Sequence, residues 1–298
     1  MAIFGKKKKS DNDETEKKKK KVREPKYLNS LLNTKVLNYR EYYMSKREKF
    51  LYSLVAFAVG AAIAFLMYGG IGSDENGNAT AITHIVNIII CTVVGYIAVK
   101  LFIPIREKQL QSKRRNLIRR QFMDLLDSLA ASVASGNNAV KAFEASQNDL
   151  YMQYGADSII VNELNIILEG QRNFIDIDAL LADFGKRSGI KEIESFAQVF
   201  ALSYRKGGDF GKIIRDSYDI LYSKINIEME IETKIAATKN ELNIMLVMPF
   251  LMIGIMKMSG GTFAKNFTTP AGILGITAGL AIVVVSYLLG RKITDIEV

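Results

Sequence analysis

The stretch from Gly207 to Lys212 is where residue types and spacing first suggest chemistry. Its sequence, Gly-Gly-Asp-Phe-Gly-Lys, carries the glycines and the lysine of a phosphate-binding loop. The match fails because Gly207 lies one residue too close to the Gly-Lys pair, and because Ile213 stands where Mg²⁺ needs a serine or threonine. No strand is predicted before it. The pattern instead indicates a break between two helices, with Asp209 as the cap of the second.

Other candidates for catalysis are few. The chain has one histidine, His84, and one cysteine, Cys91, and both fall in an apolar run. A Ser-His-Asp set or a histidine metal site is therefore excluded from the central block, and no disulfide can form within one chain. The carboxylates fall at predicted caps and polar faces, where solvated charge is the usual case. We expect no catalytic, cofactor-binding or metal-binding residues and no enzyme activity.

The apolar residues are concentrated in four runs, and these runs divide the chain into its predicted segments. The runs are 51–71, 82–105, 243–258 and 271–290. The first has 21 residues without a charge, which at about 1.5 Å per residue crosses the roughly 30 Å of a bilayer core. The runs therefore predict two transmembrane hairpins, over 51–105 and 243–290.

Positive charge is concentrated before the first run. Residues 1–50 hold 16 Lys and Arg against 7 Asp and Glu, a net of +9, whereas 106–242 hold 19 against 20. The lysine runs of 1–26 predict a disordered tail that is attracted to anionic lipid and binds no nucleic acid. The positive-inside rule places this tail, the block 106–242 and the tail 291–298 in the cytoplasm. Apolar spacing in 27–50 predicts a juxtamembrane amphipathic helix.

The block 106–242 has helical apolar spacing throughout and no strand pattern. The predicted caps and ends are Gly136, Asn137 or Asn138, Asp157, Gly170 and Asp176. The last helix has no glycine or proline from 212 to 248 and runs into the third span. The prediction is an all-α, polytopic membrane protein with four transmembrane helices and one cytoplasmic helical bundle, of about six helices, between spans 2 and 3.

The second hairpin has two features of membrane helix packing. Pro249 lies inside the third span, where it predicts a kink. Gly275 and Gly279 form a small-xxx-small motif in the fourth span. Such a motif is either a close-packing interface or a chance pairing in a glycine-rich segment.

The order of two spans, helical domain and two spans resembles the type II secretion system F-domain family, the inner-membrane platform proteins of type II secretion, type IV pili and tight-adherence (Tad) pili. The likeness covers about 105–290. It lies in the helix 122–136 followed by 138–143, in the turn from Arg205 to Phe210 before a long helix, and in Met248-Pro249. Many members carry two helical domains. This chain has one, as the shorter Tad-type members do.

The resemblance implies a non-enzymatic scaffold in the inner membrane. Its cytoplasmic domain would dock on a hexameric secretion ATPase, and its spans would help to lift pilin subunits into a filament. A second F-domain subunit, or a second copy of this chain, would supply the missing domain. The candidate partner-contact or hinge residues are Gly136, Arg205, Gly207, Gly208, Asp209 and Pro249, and the candidate helix-packing residues are Gly275 and Gly279.

Three alternatives remain open. A small-molecule transporter is disfavoured because the spans carry no charge near mid-depth. A membrane-anchored adaptor is disfavoured because the outer loops are too short for a sensing domain. An ATPase is disfavoured by the failed phosphate loop.

Overall fold

The computed structural model describes residues 25–71, 79–206, 209–258 and 266–294. These residues form eight α-helices and two short strands. The helices are α1 Lys46–Tyr68, α2 Ala81–Ala134, α3 Ala139–Tyr154, α4 Ile159–Arg172, α5 Ile177–Ser188, α6 Lys191–Lys206, α7 Phe210–Met258 and α8 Pro270–Thr294, and the strands are β1 Tyr27–Asn29 and β2 Lys35–Leu37. The predicted all-α class is confirmed, with one small hairpin added.

The chain divides into two compact units. The described residues within Met1–Tyr43 and Lys113–Gly211 form one, here called the helical unit, and those within Met44–Ser112 and Lys212–Val298 form the other, the membrane unit. The helical bundle is therefore inserted between the second and third spans, as predicted from the sequence.

Four helices of the described chain, α1, α2, α7 and α8, are long and apolar enough to cross a membrane. Their large apolar side chains face outward, with Leu51, Ile88 and Leu274 61%, 67% and 71% exposed. Helices with satisfied backbones and apolar exteriors are what a bilayer accepts. The protein is a multi-pass membrane protein, and the four predicted spans are confirmed.

Two of the spans belong to helices that continue well beyond their apolar runs. α2 has 54 residues with Pro104 inside it, and so joins what the sequence suggested were a span, a basic connector and the first bundle helix. α7 has 49 residues and contains Pro249, which confirms the predicted continuity of the last bundle helix with the third span.

The predicted juxtamembrane helix over 27–50 is wrong for most of its length. β1 and β2 pair antiparallel there, with Leu28 opposite Val36, and α1 begins only at Lys46. Asn33 adopts φ +59 and the Ser30 and Thr34 hydroxyls hydrogen-bond at 2.8 Å, closing the turn. Asparagine and serine side chains compete with helical backbone bonds in this way, so local turn chemistry overrode the apolar spacing. We call residues 25–43 the N-terminal strap.

The core of the helical unit is a cluster of phenylalanines. Each of these rings is at most 2% exposed, and neighbouring ring centres lie 5.5 to 6.4 Å apart. The rings are Phe122, Phe143, Phe184, Phe196 and Phe200. Because α2, α3, α5 and α6 each contribute at least one ring, the cluster joins helices that are distant in sequence.

The helix ends follow the predicted caps in part. The Asn138 side chain accepts a hydrogen bond from the Lys141 N–H and caps α3, as predicted. Asp176 precedes α5 as predicted, whereas Ser158 rather than Asp157 caps α4. α4 does not end at Gly170. A Cβ at Gly170 would lie 2.5 Å from the Leu180 side chain, so this glycine permits close helix packing instead.

Candidate functional site

The helical unit has two different ends, because its successive helices run antiparallel. Side-chain bonds join Ser128 of α2 to Asp149 of α3, Gln147 of α3 to Asn165 of α4, Glu163 of α4 to Arg187 of α5, and Asp178 of α5 to Arg205 of α6. The α2–α3 turn, the α4–α5 turn and the C-terminus of α6 therefore share one end, the turn end. The α3–α4 and α5–α6 turns and the N-terminal strap share the opposite end, the strap end.

Gly136 lies in the α2–α3 turn, with φ +88. Its N–H donates to the Val133 carbonyl at 2.9 Å, and the Asn137 side chain donates to the Ser132 hydroxyl at 3.0 Å. A Cβ at Gly136 would meet nothing within 4 Å. This glycine is therefore required by the left-handed backbone of the turn and not by a close neighbour.

Arg205 lies near the same end, close to the C-terminus of α6. Its Nε donates to Asp178 Oδ2 at 2.7 Å, and its side chain is 68% exposed whereas that of Asp178 is 4% exposed. Asp209 precedes α7 and is exposed. Gly207 and Gly208 lie outside the described residues. The structure thus brings the predicted contact residues Gly136 and Arg205 to one end of the bundle.

Phe174, which the sequence analysis did not single out, is the most unusual residue of the turn end. The Ile175 N–H donates to the Gly170 carbonyl and the Phe174 N–H to the Gln171 carbonyl, both at 3.0 Å. This is the Schellman pattern that ends many helices, and its left-handed position normally holds glycine. Phe174 adopts φ +61 there and is 98% exposed. A bulky residue in this conformation is strained.

Pro249, Gly275 and Gly279 belong to the membrane unit and line one apolar cavity of about 240 Å³. Met67, Phe250 and Phe267 contribute to the same walls. A Cβ at either glycine would meet nothing within 4 Å. The Gly275–Gly279 motif therefore does not make a tight helix contact within the described chain.

Lys257 joins two helices of the membrane unit. Its Nζ donates to the carbonyl oxygens of Met67 and Gly69, at 2.7 and 3.2 Å. These carbonyls lie at the C-terminus of α1, where a cation is favoured by the unsatisfied backbone oxygens.

A buried ionic centre lies toward the strap end, joining α4, α5 and the strap. Two nitrogens of Arg187 donate to the two carboxylate oxygens of Glu163 at 2.8 and 2.7 Å, and its Nε donates to Asp183 at 2.7 Å. The Tyr39 hydroxyl donates to Glu163 Oε1 at 2.8 Å. The side chains of Arg187 and Glu163 are 3% and 1% exposed.

The pKa directions agree with this geometry. Burial by itself lowers the pKa of Arg187, but the hydrogen bonds and charges of Glu163 and Asp183 outweigh it, so the net shift is upward. Burial, followed by the charge and hydrogen bond of Glu163, raises the pKa of Tyr39. Arg187 therefore stays charged and Tyr39 stays a proton donor at neutral pH.

The sequence did contain a signal for this centre. Glu163 stands within the apolar stripe formed by Ile160, Leu164 and Ile167, where a carboxylate has to be paired when it is buried. Its partners lie 24 and 124 residues away, so the stripe could reveal that a partner was needed but not which one.

The described part of the chain has no group of three His, Cys, Asp or Glu side chains arranged to hold a metal ion. The Cys91 thiol donates to the Ala61 carbonyl at 3.5 Å, a contact between neighbouring membrane helices. The described chain thus has two compact units, a turn end with one strained and exposed phenylalanine, and a buried ionic centre.

Comparison with protein families, with curated proteins and with solved structures gave no match.

Proposed function

We propose that this protein is a non-enzymatic inner-membrane platform of a type II secretion or Tad/type IV-like pilus assembly machine. Both termini and the helical unit would lie in the cytoplasm. The helical unit would receive movement from a hexameric secretion ATPase, and the spans would use that movement to extract pilin subunits from the bilayer. A second F-domain subunit or a second copy of this chain would complete the platform.

The observation that carries the proposal is the continuity of α7. This helix starts next to Asp209 and runs unbroken to Met258, with Pro249 inside its apolar part. A helix is stiff along its axis, so a displacement at one end is transmitted to the other. Proline removes one backbone hydrogen bond and gives the helix a bending point within the membrane.

The turn end is the surface that we assign to the motor. It combines the turn glycine Gly136, the exposed Arg205 and Asp209, and the exposed ring of Phe174. Aromatic and arginine side chains are enriched in protein interfaces. Backbone strain of the kind seen at Phe174, whose ring is 98% exposed, clusters at functional positions.

The first test is cross-linking in cells, followed by gentle detergent extraction and identification of partners by mass spectrometry. Recovery of a hexameric ATPase, with cross-links at the turn end, would support the proposal. A second membrane protein of the same layout would identify the other domain copy. Recovery of a small homo-oligomer without an ATPase would contradict the proposal and favour a transporter or an adaptor.

The second test places proline at Ile225, which is 9% exposed in the middle of α7. Proline in a helix interior is destabilising by about 3 kcal/mol or more and breaks the rod locally. We expect Ile225→Pro to insert into the membrane normally while filament assembly is lost. Ile225→Ala shortens the same side chain without breaking the helix and is the matched control. Normal assembly by the proline variant would contradict transmission along α7.

A further inference from the structure

The N-terminal strap is held mainly by the helical unit and not by its own strands. β1 and β2 have three residues each, and an isolated hairpin of two strands is marginally stable in water. Yet Val36 and Tyr39 are 7% and 5% exposed, and Asn38 is 1% exposed. The order of the strap therefore depends on its docked position.

Hydrogen bonds from Tyr39 and Arg40 dock the strap on α4 and α5, and the Arg114 guanidinium of α2 lies 5.7 Å from the Tyr39 ring. The Tyr39 hydroxyl reaches the buried Glu163 carboxylate, and the Tyr39 N–H donates to the Arg187 carbonyl at 3.1 Å. The Arg40 Nε donates to the Lys186 carbonyl at 2.7 Å. Gly189 has φ +63, and a Cβ there would lie 2.8 Å from the Arg40 side chain, so this turn is shaped to admit the strap.

The charge of the buried Glu163 carboxylate is compensated within the helical unit and not by the strap. Arg187 occupies both oxygens of the Glu163 carboxylate, and Tyr39 adds a further bond to one of them. Removal of the strap leaves the carboxylate still neutralised by Arg187, while water solvates the tyrosine hydroxyl. A buried charge loses its stability when it has no partner, and here the charged partner stays in place. The strap is therefore a separable part of the ionic centre.

The strap is directly connected to the first membrane helix. Only Met44 and Ser45 stand between the strap and α1, the first span. We propose that the N-terminal strap is a releasable latch, which ties the start of the first span to α4 and α5 when closed and frees it when open. The latch would be a mechanical link in addition to α7. Its role in assembly rests on the proposed function.

The test is hydrogen exchange of the full-length protein in lipid nanodiscs, read on peptides covering 36–43 and on peptides of α4 and α5. Tyr39→Phe removes only the hydroxyl, and we expect exchange over 36–43 to rise about tenfold, since one hydrogen bond to a charged group is lost. Tyr39→Ala should raise it further. Exchange in α4 and α5 should not change. Tyr27→Phe, on half-exposed Tyr27 of β1, is the matched control.

Two results would overturn the latch. One is equal exchange over 36–43 in the wild type and both Tyr39 variants. The other is loss of protection in α4 and α5 together with the strap, since the contact would then belong to the fold itself.

Filament assembly in cells tests the coupling separately. We expect Tyr39→Ala to reduce assembly at normal protein levels, and unchanged assembly with an open strap would overturn the mechanical role of the latch. If cells that lack the whole chain still build filaments, the proposed function fails. The exchange measurement alone then decides whether the latch exists.

Discussion

The two ends of the helical unit each hold an arginine–carboxylate pair, and the pairs differ in burial rather than in length. Arg187 and Glu163 meet at 2.7 Å with side chains 3% and 1% exposed. Arg205 and Asp178 also meet at 2.7 Å, but Arg205 is 68% exposed. Equal distances therefore describe interactions of different strength, because water screens one arginine and is excluded from the other.

The contrast extends beyond the charges. At the strap end, Arg187 is fixed by two carboxylates and Tyr39 adds to the same network. At the turn end, Phe174 is strained and exposed, and Arg205 projects into solvent. One end is determined by internal contacts, and the other exposes a strained phenylalanine and an arginine. The proposed function requires such a difference, because one end would hold the structure of the domain while the other would meet the motor.

The largest expected effect is at the buried pair. Arg187→Ala would leave Glu163 charged and buried, with the Tyr39 hydroxyl as its one hydrogen-bond partner among the described residues. We expect a loss of about 3 to 5 kcal/mol in the free energy of unfolding. Urea unfolding of the purified full-length protein in detergent, followed through hydrogen exchange of α4 and α5, measures this loss. Arg172→Ala, at an exposed position on α4, is the matched control.

A double variant identifies the origin of that loss. If the uncompensated charge is responsible, Glu163→Gln combined with Arg187→Met should be more stable than Arg187→Ala alone. A double variant less stable than the single one would show that packing, and not charge, dominates this end of the unit.

The next largest effect, at Phe174, is a gain in stability instead of a loss. Phe174→Gly relieves about 1 to 2 kcal/mol of strain in the left-handed backbone, which stabilises the fold. It also raises the entropy of the unfolded chain, which destabilises the fold by roughly 0.5 to 1 kcal/mol. We expect a net gain of about 0.5 to 1 kcal/mol in stability, together with weaker capture of the proposed ATPase partner. Urea unfolding and quantitative co-purification measure the two effects on the same preparation.

Phe174→Ala separates strain from contact. It removes the ring but keeps a Cβ in the left-handed region, so we expect weaker capture with no gain in stability. If both variants capture the ATPase like the wild type, Phe174 is not part of the contact. A glycine variant less stable than the wild type would contradict the strain itself.

The parts of the fold that could be predicted from sequence are those governed by local pattern. The spans follow from uninterrupted apolar runs, and the bundle core follows from helical spacing such as that of Phe122, Leu125, Leu126 and Leu129, all of which are buried. The continuity of α7 with its span was visible because no glycine or proline interrupts 212–248.

The missed parts depend on contacts between distant residues or on turn details. The apolar spacing of the strap fits a helix, whereas its hairpin is stabilised by contacts with distant residues, among them the bond from the Tyr39 hydroxyl to Glu163. Gly170 has the residue type expected at a helix end, but its missing side chain instead lets Leu180 pack closely against α4. Phe174 occupies the left-handed position that ends the helix. Gly136 was predictable because a glycine after a helix commonly adopts that position.

The smallest expected effect completes the comparison of the two pairs. Arg205→Ala removes a mostly exposed partner from Asp178, which also lies in the first turn of α5, where the helix dipole favours a carboxylate. We expect a loss of about 0.5 kcal/mol and not more than about 1 kcal/mol. Urea unfolding under the conditions used for Arg187→Ala measures it, and raised salt should reduce the difference from the wild type, because an exposed pair is screened.

A loss as large as that of Arg187→Ala would mean that burial does not govern the strength of these pairs. A small loss accompanied by weaker capture of the ATPase would instead assign Arg205 to the binding surface of the turn end.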